Sequence, residues 1–394
     1  MNIEGQWAPA WQPLVDAFAA NFEQGEEGAG VALYQRGEMV VNIWAGQRSN
    51  RLADITQAPW TEDTLVNVFS AGKGLVALCV LQLVVAGKLD LDAPVAHYWP
   101  EFTQTSISVR QVLCHRSGMS AFKQQIPSDQ IFDWALMTHA VATESPWWEP
   151  NSAQGYSPFM FGWILGELVR RISGCDSFND YFQTHVAKPL GVNCHFGVPD
   201  TLIASIADTG PLKRTVNVSS ASEGADSVAL GKLMKADPRG VTNRAFVNPL
   251  SLMTSTNSVE WRQAQIPAAN AHSDANALAR IYGGLACGQE ALLPRDTLAL
   301  AWQQQTFERD RTLGLPLRFS HGFMLSQAQR PDCRYGRGER SFGHPGAGGS
   351  LGFADPDYAL GFGYVTARMG QSLLIDERAV RLIDAAYTIL EQTP

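Results

Sequence analysis

The stretch Thr64-Leu65-Val66-Asn67-Val68-Phe69-Ser70-Ala71-Gly72-Lys73-Gly74 is an extended apolar run that turns into a helix at a serine. The helix it opens, Ala71–Ala86, closes at Gly87 and is apolar almost all round. Such a helix is expected in the interior, not on a surface. Lys73 follows Ser70 by three residues, one turn further along the same face. The helix start supplies free N–H groups and the positive end of the dipole, both favourable to negative charge forming near Ser70. A serine becomes a nucleophile when a neighbour takes its proton. A lysine can take it when burial lowers its pKa. The plain alternative is a serine that caps the helix and a lysine that snorkels to water.

Outward from this stretch the chain changes character twice. Gly28–Tyr34 and Met39–Trp44 flank Gln35-Arg36-Gly37-Glu38 and read as an antiparallel hairpin behind a helix at Trp11–Phe22. The middle is dominated by helical patterns at Ile131–His139, Phe159–Ile172, Phe178–Val186 and Asp274–Leu285. Gly210–Phe246 has weak periodicity and reads as long loops with short helical pieces. Strand-like runs return at Gly322–Ala328, Gly343–Phe353 and Ala359–Arg368, before a closing helix at Arg378–Gln392. Strands at both ends with helices between predict an α+β fold, an antiparallel sheet flanked by helices. Residues 1–100 with 315–394 would form the sheet lobe and 101–314 a mostly helical lobe, with the active site in the cleft between them.

Composition excludes several classes. Thirty Lys and Arg against 38 Asp and Glu give a net charge of -8, which disfavours nucleic acid and anionic lipid as partners. The most apolar run, Gly74–Val85, is too short to span a bilayer and is broken by Gln82. Met1–Val15 has neither a basic start nor an apolar core, so a cytoplasmic address is expected. The six cysteines are scattered, with no CxxC, and are expected to be reduced and structural. Cys114-His115 and Cys194-His195 are adjacent pairs, a weak pattern for zinc.

Two further segments carry chemistry. Tyr156 stands before Ser157-Pro158 and a helical segment, so it sits on a loop where its hydroxyl could share a proton with Lys73. It could equally be a boundary tyrosine with a wet hydroxyl. Trp147 and Trp148 just upstream could line a substrate pocket or simply pack. The run Gly343-His344-Pro345-Gly346-Ala347-Gly348-Gly349-Ser350 is rich enough in glycine to imply close approach of backbone to something. An exposed N–H there could complete an oxyanion hole with the Ser70 N–H, with His344 turned toward the cleft. A glycine turn with a structural histidine is the alternative. Gly348–Gly352 also fits GxSxG. That motif needs a strand, a sharp turn and a helix, whereas Phe353-Ala354-Asp355-Pro356 follows here and no histidine occurs after it.

Taken in order, these segments resemble the serine beta-lactamase and penicillin-binding protein superfamily, and within it the carboxylesterases similar to class C beta-lactamases. The resemblance rests on Ser70-Ala71-Gly72-Lys73, Leu83–Val95, His115-Arg116-Ser117-Gly118-Met119, Tyr156-Ser157-Pro158, Gly343-His344-Pro345-Gly346 and Gly352–Pro356. It implies a serine hydrolase with an acyl-enzyme on Ser70. Lys73 and Tyr156 act as general base and acid, with Tyr156 donating to the leaving oxygen. The N–H groups of Ser70 and Ala347 form the oxyanion hole. His344, Gly346, Trp147 and Trp148 are the implied substrate contacts. The chemistry implied needs no cofactor and no metal, the implied partner is a small-molecule ester, and self-association is left open. The resemblance also favours a structural turn over zinc ligation at His115.

The sequence departs from the superfamily pattern in three places. His344-Pro345-Gly346 stands where relatives have Lys-Thr-Gly or His-Thr-Gly, and proline offers neither hydroxyl nor N–H. Pro158 replaces a frequent asparagine, and Asn151 a frequent glycine. The first two remove amide and carboxylate recognition and point to short-chain carboxylic esters. A beta-lactamase or another amide hydrolase, of the D-alanyl peptidase kind, is the alternative.

Overall fold

The computed structural model describes residues 2–212 and 225–392. Its strands are, in chain order, β1 (Ile3–Trp7), β2 (Gly28–Gln35), β3 (Glu38–Asn50), β4 (Ile55–Pro59), β5 (Leu65–Phe69), β6 (Cys194–Phe196), β7 (Ile206–Ala207), β8 (Gly210–Pro211), β9 (Ala271–Ser273), β10 (Thr306–Arg309), β11 (Pro316–Phe319), β12 (Met324–Leu325), β13 (Phe342–Pro345), β14 (Leu351–Asp355), β15 (Leu360–Thr366) and β16 (Arg368–Met369). The helices that frame the site are α1 (Gln12–Glu23), α2 (Gly72–Val85), α3 (Trp134–Thr143), α4 (Met160–Ser173), α5 (Ala225–Ala236), α6 (Val241–Val247), α7 (Ala275–Ala286) and α8 (Glu377–Leu390).

A large antiparallel sheet runs β1-β3-β2-β15-β14-β13-β12-β11-β10, with β4 paired to β3. The N-terminal and C-terminal parts of the chain meet inside it, where β2 lies against β15 in the register Val31↔Tyr364 and Leu33↔Phe362. This α+β architecture is the one the sequence pattern predicts. Along β2 the side chains alternate between two cores, as period-two geometry requires. Val31 and Leu33 join α1 and α8 on one face, while Ala32 joins the core built around α2, α4 and α7 on the other. Burial on both faces explains why these strands read as unbroken apolar runs.

Strand β5 lies outside the large sheet. It pairs with β9 and β7 in a small sheet of order β6-β9-β5-β7 and leads directly into α2. Residues Gly72 to Leu81 of α2 are all buried, which its lack of a polar face requires. Three expectations need correction. Gly343–Phe353 is not one strand but the hairpin β13–β14, bent at Gly346–Ser350. Gly322–Ala328 contains only the two-residue strand β12, because Gly322 at φ +90° ends a turn just before it. In Gly210–Phe246 the described residues include the twelve-residue helix α5 and most of α6, while 213–224 lie outside the described residues.

Candidate active site

Strand β5 delivers its last residue, Phe69, at φ +48°, a left-handed conformation that a bulky side chain rarely adopts. Asn67 Oδ1 accepts the Phe69 N–H at 3.2 Å and helps hold this bend. The reversal presents Ser70, partly exposed, at the head of α2. Lys73, at 0% exposure, lies one turn deeper. Its Nζ is 3.1 Å from Ser70 Oγ and 2.8 Å from each of the carbonyl oxygens of Pro158 and Ala268. As an ammonium it can donate to all three. As a neutral amine it donates to the two carbonyls and turns its lone pair to the Ser70 hydroxyl. Burial pushes the Lys73 pKa well below the ordinary lysine value, and no carboxylate is among its hydrogen-bond partners to offset this.

Tyr156 sits on the loop before α4 at 5% exposure. Its ring lies 4.9 Å from Lys73 Nζ and packs between Phe319, His115 and His344, whose ring centroids are 6.5, 4.9 and 6.0 Å away. Burial raises the phenol pKa and outweighs the lowering by Ser70, which lies close enough to the hydroxyl to exert it. The two groups flanking Ser70 are therefore shifted in opposite directions, the amine toward neutrality and the phenol toward holding its proton.

Asp310 anchors this loop, and sequence reasoning did not single it out. Its Oδ2 accepts the Tyr156 N–H at 2.7 Å, and its Oδ1 accepts the N–H groups of Thr312 and Leu313 at 2.9 Å each. Burial pushes its pKa up to about 6, against the lowering by these donors. In the sequence it lies within Arg309-Asp310-Arg311, a pattern that reads as a solvated turn.

Two neutral histidines complete the surroundings. His115 Nδ1 accepts the Ser157 N–H at 3.1 Å, so the ring hydrogen is on Nε2. His344 Nδ1 faces its neighbour's carbonyl, Pro345 O, at 2.8 Å, so there the hydrogen is on Nδ1. Both Nε2 atoms are buried and without a hydrogen-bond partner among the described residues. Burial, then the nearby Lys73, holds the His344 pKa at about 3, and His115 is lowered by the same causes. His344 is 1% exposed, so its ring packs against Tyr156 and does not open on the cleft as expected. Strand β13 is paired with β12 on one side and β14 on the other, so it lies inside the sheet, and the Tyr156 ring covers His344. His115 occupies a turn at φ +56°, while the neighbouring Cys114 Sγ donates to Ser320 O at 3.5 Å.

The β13–β14 turn lies directly against β5, the strand that leads into Ser70. A Cβ on Gly346 would fall 2.1 Å from Val68 O, so only glycine permits this approach. Ala347, next in the turn, is partly exposed. Neither its N–H nor that of Ser70 is donated to another group among the described residues. Ser350 is buried and runs straight into β14, so no elbow forms at GxSxG. Trp148 packs on Gly155, beside Tyr156, and its Nε1 donates to Ala153 O at 3.1 Å. Trp147 Nε1 donates to Ala121 O at 2.8 Å, and Lys123 lies over its ring. The contacts described for Trp147 do not include Ser70.

Comparison with known proteins shows the family of this fold. The model of the family described as Beta-lactamase matches residues 11–385. The chain belongs to the beta-lactamase family. Within this family it is similar to "Esterase/beta-lactamase LipL" of Mycobacterium tuberculosis, 30% identical over 388 residues that cover 96% of this chain and 86% of that protein. It is similar to the crystal structure of a family VIII carboxylesterase at a TM-score of 0.85, 33% identical and covering 99% of this chain and 100% of that one. A penicillin-binding protein homolog from Caulobacter crescentus matches at the same TM-score, 31% identical with the same coverage. As a beta-lactamase family member related to esterases, the chain has the general character of a hydrolase.

Proposed function

We propose that this protein is a carboxylesterase that hydrolyses short-chain, uncharged carboxylic esters through an acyl-enzyme on Ser70. The observation that carries the reading is the setting of Lys73: a buried amine 3.1 Å from Ser70 Oγ whose remaining N–H directions end on two carbonyls. In its neutral form Lys73 removes the hydroxyl proton as Ser70 Oγ bonds to the ester carbonyl carbon. The carbonyl oxygen takes up the negative charge and is held by the N–H groups of Ser70 and Ala347. The tetrahedral intermediate collapses, the bond to the alcohol oxygen breaks, and Tyr156 passes that oxygen a proton replenished from Lys73. Water then attacks the acyl group, giving up its proton along the same route, and the acid leaves with Ser70 restored.

The substrate class follows from what surrounds the nucleophile. Lys73, hydrogen-bonded to Ser70, is driven toward neutrality, while His344 is neutral and Pro345 and Pro158 contribute no donor. A penicillin-like carboxylate would find no fixed positive charge on these four residues. The relatives named as an esterase/beta-lactamase and a family VIII carboxylesterase support ester hydrolysis as the main reaction. Parallel turnover of a short-chain nitrophenyl ester and a chromogenic cephalosporin tests the class. The ester is expected to react faster by a wide margin. A faster cephalosporin reaction would assign the protein to the beta-lactamases, and ester turnover surviving Ser70→Ala would remove the mechanism.

A further inference from the structure

We propose that Arg378, at the start of α8, is a positioning residue for the oxyanion hole: its guanidinium holds the carbonyl of Gly348 and thereby fixes the turn that carries the Ala347 N–H. The proposal rests on the reading of Ala347 and Ser70 as the oxyanion donors. Arg378 lies outside every motif of the sequence and makes no contact with Ser70, Lys73 or Tyr156 among those described.

The turn is soft by composition. It contains Gly346-Ala347-Gly348-Gly349, and Gly348 and Gly349 adopt φ +86° and +131°, where glycine meets little resistance. Gly346 N–H donates to Ser350 O at 2.6 Å and closes the turn on one side. On the other side Gly348 O accepts from Gly370 N–H at 2.8 Å and from Arg378 Nη2 at 2.7 Å. The guanidinium sits so close that a Cβ on Gly349 would fall 2.8 Å from it.

Every N–H of Arg378 is committed. Nε donates to Asp376 Oδ1 at 2.8 Å, and Nη2 also donates to Asp376 Oδ2 at 3.3 Å. Nη1 donates to Glu26 Oε2 at 2.5 Å and to Thr366 Oγ1 at 3.1 Å. Arg378, Glu26 and Asp376 are only 2%, 4% and 6% exposed. A buried ion cluster returns little stability over a packed apolar one. Its distinctive product here is a rigid donor delivered to Gly348 O. Lysine cannot reproduce it, since a point charge cannot serve Asp376, Glu26 and the carbonyl in fixed directions at once.

The test compares wild type, Arg378→Lys and Arg378→Met on an ester and on its thionoester, in which sulfur replaces the carbonyl oxygen. Sulfur is a weak hydrogen-bond acceptor, so the thionoester draws little from an oxyanion hole. Arg378→Lys is expected to lose about 10- to 100-fold in kcat on the ester, the scale of an ångström-level misplacement. KM should move little, and the thionoester rate should fall much less, so that the ester-to-thionoester ratio collapses. Arg378→Met should show the same collapse; if it does not fold, the lysine variant decides. An unchanged ratio, whether both rates fall together or neither falls, overturns the proposal. That result is distinct from ester turnover persisting in Ser70→Ala, which would remove the catalytic reading itself.

Discussion

At Lys73 the amine, on a side chain without water-exposed surface, has two carbonyl acceptors and one hydroxyl within reach. Burial disfavours the ammonium, so the folded pKa lies below 10.5, and the base proposed above is the neutral form. Activity, as kcat/KM, should therefore rise with pH through the lowered pKa and level off before the ordinary lysine range. Between the two pKa values the unfolded chain binds the extra proton, so stability also rises with pH across that window. A pH–rate profile and unfolding at several pH values check both signs. Lys73→Met should lower kcat by about 10²- to 10⁴-fold and flatten both dependences; full activity with a level profile in that variant would exclude Lys73 as the base. Gly346 offers a second single-residue test. Its missing side chain is what lets the turn rest 2.1 Å, measured from an added Cβ, against Val68 O. Gly346→Ala must push that backbone away, and with it the Ala347 N–H. The expected loss is about 10²- to 10³-fold in kcat, as for removal of an oxyanion donor, with the protein still folded by circular dichroism.

Among the elements, the loop bearing Tyr156 depends on Asp310, which reaches it from the segment before β11. Asp310→Ala leaves the N–H groups of Tyr156, Thr312 and Leu313 without their acceptor. A buried donor left unpaired costs about 1–3 kcal/mol, partly offset by removal of a desolvated carboxylate. We expect a net loss of about 2 kcal/mol or more in urea unfolding and a fall in kcat as Tyr156 loses its place. Unchanged unfolding and unchanged kcat would mean that the loop holds its shape without this carboxylate. This anchor also marks what the chain reveals before it folds. The hairpin β2–β3, the buried helix α2 and the motif Ser70–Lys73 were legible because each is a local pattern of period, turn residue and spacing. Asp310 was not legible, since its hold on the Tyr156 loop comes through a donor 154 residues away in the chain. The division of Gly343–Phe353 into two strands was hidden for a related reason: glycine weakens the alternation that would mark a turn. His344 was placed by its motif but not its burial, which is set by Tyr156 and the elements behind it.

For the molecule as a whole, the decisive feature is that one sheet is assembled from both ends of the chain and that the pairing which joins them, β2 with β15, closes last in sequence. The C-terminal helix α8 then packs beside α1 over the same face, burying Leu382, Ile383 and Tyr387 completely or nearly so. The Tyr387 hydroxyl donates to the buried Asp355, and Arg378 neutralises Glu26 from the first segment of the chain. Removal of residues 377–394 therefore does more than shorten the protein. Each of those three side chains is worth about 1.5–3 kcal/mol of burial, and Glu26 is left as an unpaired buried charge. The combined loss is comparable to the whole stability of an ordinary folded protein, about 5–15 kcal/mol. The truncated chain is expected to lose its cooperative unfolding transition and to be cleaved rapidly by trypsin throughout the sheet, N-terminal strands included. Cleavage confined to the new C-terminus, with a wild-type melting temperature, would show that the N-terminal half of the sheet stands without its closing helix. The two ends would then be joined for catalysis alone, through the turn that Arg378 holds, and not for stability.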